Sequence, residues 1–399
     1  MPRVVLVLPT SPYRAADFVE AAAALGATVV VASDREQVLA ATDRALLVDL
    51  GDADGTASAV EALDGRAPVD AIVAVDDQGV VVAAEAAARL GLPHNSPEAV
   101  AATRDKAKLR RALGRAEVRQ PGFRLVEGDE LPDLPFPWVV KPLGLSGSTG
   151  VIRVDDAEAA PATFARVRAI AGDPAAPLLV ERFVPGPEVA IEGLLRGGAL
   201  EVLAVFDKPD PLDGPYFEET IYVTPSRHPA VELAEVRRLA QQACTALGLT
   251  EGPVHAEARL SPDGPVLLEV AARSIGGLCA RTLRFGAGVS LEELILRHAL
   301  GLPTDGLVRE DVAAGVMMLP IPTAGTLREV GGQDEARAVA GVVGLDITVP
   351  KGRLVRPLPE GDRYLGFLFA RGDTPAEVES ALRQAHACLD VVIDQREVD

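Results

Sequence analysis

Short hydrophobic stretches alternate with Ala-rich amphipathic segments over the first hundred residues. Predominantly apolar stretches occupy positions 4–8, 28–32, 46–48 and 71–75, and each predicts a strand, the third of them short. Between them, segments 15–25 and 78–90 have helical composition and stop at Gly26 and Gly91, where glycine commonly ends a helix. This alternation predicts a parallel, doubly wound sheet.

The remaining chain predicts a mixture of strands and helices. Ser96 and Pro97 are typical of a helix N-terminus, and they open a predicted Lys- and Arg-rich helix over 98–113. Strand patterns dominate 138–275, apart from a helical pattern at 234–247. Further helices are predicted at 291–300 and 375–389, with strands at 312–319 and 364–370.

Composition and charge exclude several classes of partner. The chain has 399 residues, 48% of them hydrophobic and 24% charged, which is typical of a globular protein. The net charge of −19 would repel a nucleic-acid backbone or an anionic membrane. We therefore expect no nucleic acid and no membrane as partners, while a local basic pocket for a small phosphate ligand stays open.

Cysteine usage and the N-terminus indicate a cytoplasmic protein. Cys244, Cys279 and Cys388 form neither a disulfide framework nor a metal-binding pattern, which fits a reducing compartment. The apolar stretch at 4–8 is too short for a signal peptide, and no stretch reaches the roughly 20 apolar residues of a membrane span.

The first candidate motif is a glycine-rich loop between two predicted strands. The strand at 138–141 ends on Lys141, and the loop that follows carries Gly144, Gly147 and Gly150. No helix-opening GK[ST] follows, so this is not a Walker A loop. It is either a plain hairpin loop or a flap whose backbone N–H groups approach phosphate oxygens, with Lys141 as a point charge.

The second candidate motif places two carboxylates around a Pro-Gly-Pro turn. A predicted strand carries Glu181, and Glu188 follows seven residues later, after the turn. A nucleotide site needs an apolar wall for adenine and a carboxylate for the ribose hydroxyls, and these two residues would suit a linker and a ribose role. The alternative is an edge turn with solvated glutamates.

The third candidate motif is a predicted β-hairpin around the turn sequence SPDG at 261–264. If Pro265 lies in the loop, Leu260 faces Val266. Glu257 on the first strand then lies directly opposite Glu269 on the second.

Two carboxylates opposite each other repel unless a cation neutralises them. His255, Glu257 and Arg259 share one face of the first strand, because side chains alternate with a period of two. A salt bridge to Arg259 or Arg273 is one way to neutralise the pair. A hard divalent cation such as Mg²⁺, held by one or two carboxylates and by ligand phosphates, is the other.

The order of these three motifs resembles the ATP-grasp superfamily of carboxylate–amine ligases over essentially the whole chain. The resemblance implies an α/β and α+β fold: a pre-ATP-grasp Rossmann-like domain, a two-lobed ATP-grasp fold and a C-terminal α+β extension. We place these parts at residues 1–97, 98–310 and 311–399, with a mobile flap lobe at about 120–185.

The resemblance also implies roles for individual residues. Lys106 and Lys141 match the two nucleotide lysines, and Glu257 and Glu269 match the metal-ligand pair. The remaining matches to the ATP site are the flap residues Ser146, Gly147, Ser148, Thr149 and Gly150, the adenine-linker residues Glu181, Phe183 and Val184, and the ribose carboxylate Glu188.

The sequence around 269–277 is most similar to the dipeptide-forming L-amino-acid ligases. There the resemblance implies that Arg273 is catalytic together with Lys141, and that His255, Arg273, Gly276 and Gly277 contact substrate. Many family members have Asn two residues after the second metal carboxylate, where this chain has Ala271. This departure argues against a third protein ligand and against a biotin-carboxylase-like identity.

The resemblance implies an ATP-dependent ligase that joins a carboxylate, expected to be an amino acid, to an amine through an acyl phosphate. Its cofactors would be ATP and Mg²⁺, with Mn²⁺ as an alternative ion. Its partners would be a small-molecule carboxylate and amine, and a homodimer is a further expectation. Two alternatives stay open: a bicarbonate-using carboxylase of the same superfamily, and an ATP-binding protein without ligase turnover.

Overall fold

The computed structural model describes residues 1–10, 13–35 and 44–395, and it begins with a parallel four-stranded sheet. The strand order is β3-β2-β1-β4, which confirms the predicted doubly wound sheet. A helix that the pattern did not predict, α2, also belongs to this domain. Its elements are β1 (Arg3–Val7), α1 (Ala15–Ala24), β2 (Thr28–Ser33), β3 (Ala45–Leu47), α2 (Ala53–Asp64), β4 (Ala71–Ala74) and α3 (Val80–Leu90).

Two short helices, α4 (Pro97–Arg104) and α5 (Lys106–Arg115), follow where one helix over 98–113 was predicted. That prediction is wrong because Asp105 has extended backbone angles. Its carboxylate accepts hydrogen bonds from the backbone N–H groups of Ala107 and Lys108, so Asp105 ends α4 and caps α5. The break places Lys106 beside the glycine-rich loop, where its N–H bonds the Leu143 carbonyl.

The flap lobe is a four-stranded antiparallel sheet in the order β5-β8-β6-β7, covered by one helix. Trp138 and Phe164 fill the space between sheet and helix, and both are fully buried. The strand-dominated pattern did not predict that helix. The elements are β5 (Phe123–Val126), β6 (Trp138–Pro142), β7 (Ile152–Val154), α6 (Ala160–Ala171) and β8 (Leu178–Arg182).

An eight-stranded sheet forms the centre of the molecule. Its order is β13-β12-β9-β10-β11-β16-β20-β18, so it runs across the domain boundary expected at 310/311. The elements of this part are β9 (Glu188–Arg196), β10 (Ala199–Lys208), β11 (Ile221–Thr224), α7 (Ala230–Leu247), β12 (Gly252–Ser261), β13 (Gly264–Ala271), β14 (Arg284–Phe285), β15 (Val289–Ser290), α8 (Leu291–Ala299), β16 (Ala313–Leu319), β17 (Gly325–Gly331), α9 (Gln333–Ala338), β18 (Val342–Ile347), β19 (Leu354–Val355), β20 (Gly366–Gly372), α10 (Pro375–Ala387) and β21 (Asp390–Asp394). Among the described helices, none combines the length and the apolar character that a membrane span requires.

The hairpin of β12 and β13 carries the two predicted metal carboxylates. Glu257 pairs directly with Glu269, which confirms that part of the prediction. The expected register at the turn is wrong, because Pro265 lies in β13 opposite Leu260. An irregularity at Leu268 then shifts the register by one residue, so that Glu257 still pairs with Glu269. Because β13 is an edge strand, the missing N–H of Pro265 is tolerated there.

A buried ion pair ties the N-terminal domain to the centre of the molecule. Arg14, directly before α1, lies 2.6 Å from Glu292 in the first turn of α8, and both side chains are almost fully buried. Arg14 also donates to the Ser274 hydroxyl and to the Ile275 carbonyl. The pair therefore fixes the segment after β13 against the N-terminal domain.

We expect Glu292→Ala to lower the free energy of unfolding by about 3–5 kcal/mol, because it leaves the Arg14 guanidinium buried without its counter-charge. Among the described residues, the side chain of the neighbouring Glu293 forms an ion pair with Arg297 alone, one turn away. Glu293→Ala should therefore cost about 0.5 kcal/mol. Urea unfolding followed by circular dichroism measures both, and equal losses in the two variants would refute the role given to the buried pair.

Candidate functional site

Two adjoining clefts meet at the centre of the molecule. The lobe cleft lies between the flap lobe and the eight-stranded sheet. The interdomain cleft, about 1200 Å³ including its open mouth, lies between the N-terminal domain, the same sheet and residues 362–367. Five residues line both clefts: Ser146, Gly147, Ser148, Glu257 and Glu269. The tip of the glycine-rich loop and the carboxylate pair thus stand at the junction.

Most of the residues predicted to bind nucleotide line the lobe cleft. Two do not: the Thr149 hydroxyl donates to the Gly361 carbonyl over 3.0 Å, and the Gly150 N–H donates to the Pro359 carbonyl over 2.9 Å. These bonds fasten the loop to the C-terminal region. The predicted residues in the lobe cleft are Lys106, Lys141, Ser146, Gly147, Ser148, Glu181, Phe183, Val184, Glu188, Glu257 and Glu269.

Glu181 is a buried carboxylate held by two cations, which excludes the alternative of a solvated turn residue. The Arg110 guanidinium bonds one of its oxygens, and Lys141 Nζ lies 2.8 Å from the other. Burial raises the pKa of this carboxyl, but Arg110 and Lys141 outweigh burial and lower the pKa to about 2. Glu181 therefore stays ionised and orients the Lys141 ammonium at the lobe cleft.

The depressed pKa of Glu181 predicts a specific dependence of stability on pH. The contribution of Glu181 is complete above its ordinary pKa of 4.5 and is lost as the pH falls toward 2. Glu181→Gln should therefore lower the free energy of unfolding at pH 7 by roughly 3 kcal/mol, and the difference from wild type should narrow below pH ~5. Urea midpoints measured from pH 7 down to 3 check this. A difference that stays constant with pH would contradict it.

Lys208, at the end of β10, bonds three carboxylates at once. Its Nζ lies 2.7 Å from Glu188, 2.6 Å from Glu219 and 2.7 Å from Glu257. Burial lowers the pKa of Lys208, but these three carboxylates raise it well above its ordinary value. The pKa of Glu219 is raised to about 7, and burial is the largest cause of this rise. The sequence analysis did not predict the position of Lys208 among these carboxylates.

The alternative in which an arginine neutralises the Glu257–Glu269 pair is wrong. Arg259 Nε bonds Glu188 over 3.1 Å, and Arg273 bonds Asp77 over 2.8 Å. Lys208 bonds Glu257, whereas Glu269 makes no hydrogen bond or ion pair among the described residues. Glu269 therefore offers a free carboxylate at the junction of the clefts. Such oxygen donors fit a hard divalent cation.

His255 is fixed between two carboxylates. Its Nδ1 lies 3.2 Å from the fully buried Glu192, and its Nε2 lies 3.5 Å from Glu257. Burial lowers the pKa of His255, but the two carboxylates raise it to about 9. The raised pKa favours the imidazolium form, in which both ring nitrogens donate hydrogen bonds. Glu192 also accepts the Ile275 N–H over 2.9 Å and so holds the segment that follows Arg273.

Arg273 reaches the interdomain cleft from the end of the hairpin, and a carboxylate of the N-terminal domain orients it. Asp77, just after β4, lies 2.8 Å from Arg273 and 3.2 Å from Arg104. Burial raises the pKa of Asp77, but Arg273 and Arg104 lower it to about 2, so it stays charged. Asp77 was not predicted, although the carboxyl edge of a doubly wound sheet is where ligands bind.

Gly276 and Gly277 line the interdomain cleft with His255 and Arg273. Gly277 has a φ of +59°, and a Cβ at this position would lie 2.6 Å from the Phe367 ring. Both the backbone conformation and the close approach of Phe367 therefore require glycine here. The structure thus brings together all four residues that were predicted to contact substrate.

Three family models match successive parts of the chain. Residues 19–94 match an ATP-grasp N-terminal domain, 134–282 an ATP-grasp domain, and 317–394 the C-terminal domain 2 of L-amino acid ligases. The chain also aligns with the crystal structure of an L-amino acid ligase from Bacillus licheniformis over 99% of both chains, with a TM-score of 0.84 and 25% identity. These matches confirm the predicted fold class.

Curated relatives are ligases of related kinds. Carnosine synthase 1 of Gallus gallus is 33% identical over 59% of this chain. Alanine–anticapsin ligase of Bacillus subtilis is 28% identical over 58% of this chain. The alignments cover 27% and 54% of those two proteins, so the chain spans about half or less of their length.

Proposed function

We propose that this chain, which belongs to the ATP-grasp superfamily, is an ATP-dependent ligase that joins the carboxylate of an amino acid to an amine. The observation that carries the proposal is the junction of the two clefts. Glu257, Glu269 and the loop tip at 146–148 line both clefts. A nucleotide in the lobe cleft would therefore present its terminal phosphate to a carboxylate in the interdomain cleft.

The lobe cleft supports ATP as the nucleotide. Phe183, Val184 and Phe217 supply apolar surface for a base, and Glu188 supplies an acceptor for ribose hydroxyls. Lys106 and Lys141 bring positive charge to the phosphates. Burial lowers the pKa of Lys106. Anionic phosphates that enter the cleft would raise this pKa again and favour the ammonium form.

Glu257 and Glu269 are the residues that would hold Mg²⁺, and both present carboxylate oxygens at the junction. When bound there, the cation would neutralise charge on the transferring phosphoryl group. Lys141 and the loop N–H groups at 146–148 would share that task from the flap side. Lys208 bonds Glu257 over 2.7 Å and helps to fix its position.

The proposed reaction has two steps. A carboxylate oxygen of the first substrate attacks the γ-phosphorus of ATP, the bond from that phosphorus to the bridging oxygen breaks, and ADP leaves with that oxygen. The product is an acyl phosphate. The amine nitrogen of the second substrate then attacks the acyl carbon, the carbon–oxygen bond breaks, phosphate leaves with the former carboxylate oxygen, and the amine loses a proton.

Arg273 would bind the carboxylate and then the oxyanion of the second step. Its planar guanidinium offers a fork of donors, and Asp77 fixes the orientation of that fork over 2.8 Å. Closure of the flap lobe would keep water away from the acyl phosphate. The bonds from Thr149 and Gly150 to the C-terminal region would hold the loop in its closed position.

The experiment that tests the proposal measures ADP release with ATP and Mg²⁺ over all pairs of the common amino acids, with bicarbonate in parallel reactions. We expect turnover only when two amino acids are present, together with a product whose mass is that of the dipeptide. Turnover that requires bicarbonate would assign the chain to the carboxylase alternative. Nucleotide binding without turnover in every reaction would contradict the ligase proposal.

A further inference from the structure

One wall of the interdomain cleft is aromatic and comes largely from the C-terminal region. The Phe367 ring packs edge-on against Tyr13 with 5.1 Å between centroids, and against Tyr364 with 6.1 Å. Met318 and Cys279 continue this surface, with their sulfur atoms 3.4 Å apart. All five residues line the cleft. This aromatic wall has no role in the phosphoryl transfer described above.

Tyr364 presents an unused polar atom in the aromatic wall. Its hydroxyl oxygen is buried and finds no hydrogen-bond partner among residues 1–10, 13–35 and 44–395. The carbonyl of Tyr364 accepts a bond from the Thr348 hydroxyl, so the backbone at this position is fixed. Buried polar atoms in native proteins are almost always paired, so this hydroxyl beside the cleft has capacity left for a hydrogen bond to a ligand.

The charges around Tyr364 favour a nitrogen over a carboxylate as its partner. Burial, Glu219, Cys279 and Glu218 raise the pKa of Tyr364 well above its ordinary value and outweigh Lys208, which lowers it, so the phenol is neutral. Glu218 is half-buried and makes no ion pair among the described residues. The carboxyl groups of Glu218 and Glu219 accept hydrogen bonds from an amino group, and a positively charged amino group beside them would favour their ionised form.

The same charges connect the aromatic wall with the reaction centre. Glu219 lines the interdomain cleft and shares Lys208 with Glu257, which lies at the junction of the two clefts. An amino group between Tyr364 and Glu219 would therefore lie next to the acyl phosphate that it must attack. Arg273, which lines the same cleft, is left for the other substrate.

We propose that Tyr364 is a substrate-binding residue whose hydroxyl oxygen accepts a hydrogen bond from the amino group of the amine substrate. The side chain of that substrate packs against the aromatic wall, so the amine substrate is an amino acid with an apolar side chain. This inference rests on the proposed function. The inference extends the proposed function by naming the class of the second substrate and by giving the C-terminal region a part in binding that substrate.

Tyr364→Phe tests the inference because it removes only the hydroxyl. With the amino-acid pair that gives the fastest ADP release, we expect KM for the amine substrate to rise about tenfold, as for the loss of one hydrogen bond. KM for ATP and for the carboxylate substrate should stay within twofold. The melting temperature should not fall, because the hydroxyl has no partner among the described residues.

Tyr216→Phe is the matched control, since the Tyr216 hydroxyl bonds Arg166 and lies outside both clefts. It should leave KM for the amine substrate unchanged. An unchanged KM in Tyr364→Phe would overturn the inference. A clear drop in its melting temperature would also do so, because it would reveal a structural partner for the hydroxyl. A dipeptide product with a charged C-terminal side chain would refute the apolar class.

A binding measurement separates this inference from the proposed function. If the wild-type protein releases no ADP with any pair of amino acids, the proposed function fails. Calorimetric titration of L-leucine into the protein loaded with Mg²⁺ and a non-hydrolysable ATP analogue then decides the inference alone. Binding that is about tenfold weaker in Tyr364→Phe supports it, whereas equal binding, or none to wild type, overturns it.

Discussion

Glu269→Gln is expected to lower kcat for ADP release by about a thousandfold, which corresponds to about 4 kcal/mol of lost transition-state stabilisation. The reason is that Glu269 presents a carboxylate at the cleft junction without a hydrogen bond or ion pair among the described residues. An amide of the same shape has no charge with which to hold a divalent cation. The variant should fold normally, because the substitution breaks no ion pair seen in this part of the chain.

The measurement is the rate of ADP release at increasing Mg²⁺ concentration for wild type and variant. Glu201→Gln is the control, because Glu201 is an exposed residue of β10 outside both clefts. Wild-type activity in Glu269→Gln, with an unchanged dependence on Mg²⁺, would remove Glu269 from the cation site. Loss of activity in both variants would point to a general effect on the protein instead.

Arg273→Ala should lower kcat/KM for the carboxylate substrate by about a hundredfold to a thousandfold and leave KM for ATP nearly unchanged. The guanidinium lies just after β13 and lines the interdomain cleft, where His255 of β12 is its neighbour in the lining. Its partner Asp77 keeps Arg104 at 3.2 Å, so the substitution does not leave a buried carboxylate without a cation. The loss should therefore appear in turnover rather than in the melting temperature.

Arg273→Lys separates the charge of this residue from its geometry. Lysine keeps the positive charge but lacks the planar fork, so we expect it to recover only a small part of the lost kcat/KM. Asp77→Asn leaves the arginine in place and loosens its orientation, and its effect should be intermediate. Full recovery by lysine would mean that charge alone suffices. A raised KM for ATP in Arg273→Ala would indicate a role at the nucleotide instead.

Local pattern predicted the N-terminal sheet because each strand there is a separate apolar stretch between helical segments. It did not predict α6, since that helix lies in a stretch where strand patterns dominate and buries only a narrow face that includes Phe164 and Val167. The pattern predicted one continuous helix in place of α4 and α5, because the capping hydrogen bonds of Asp105 leave no trace in the hydrophobic pattern. The irregularity at Leu268 was equally invisible, since it depends on the pairing of two strands.

In the candidate site too, some residues could be predicted from local sequence and others could not. Residues within the three motifs, such as Lys141, Glu257 and Glu269, were predicted because their spacing is local. Their partners come from distant parts of the chain: Asp77 lies 196 residues before Arg273. Tyr364 lies outside the three motifs. Such contacts are set by the packing of separate domains, and one sequence carries no local signal for them.

Transfer of an oxygen isotope shows whether the carboxylate is activated as an acyl phosphate. The amino acid that contributes the carboxylate is labelled with ¹⁸O in both carboxyl oxygens, and the released phosphate is examined by mass spectrometry. We expect one ¹⁸O atom in each phosphate and one in the new amide. Dipeptide formation with no label in the phosphate would contradict this activation.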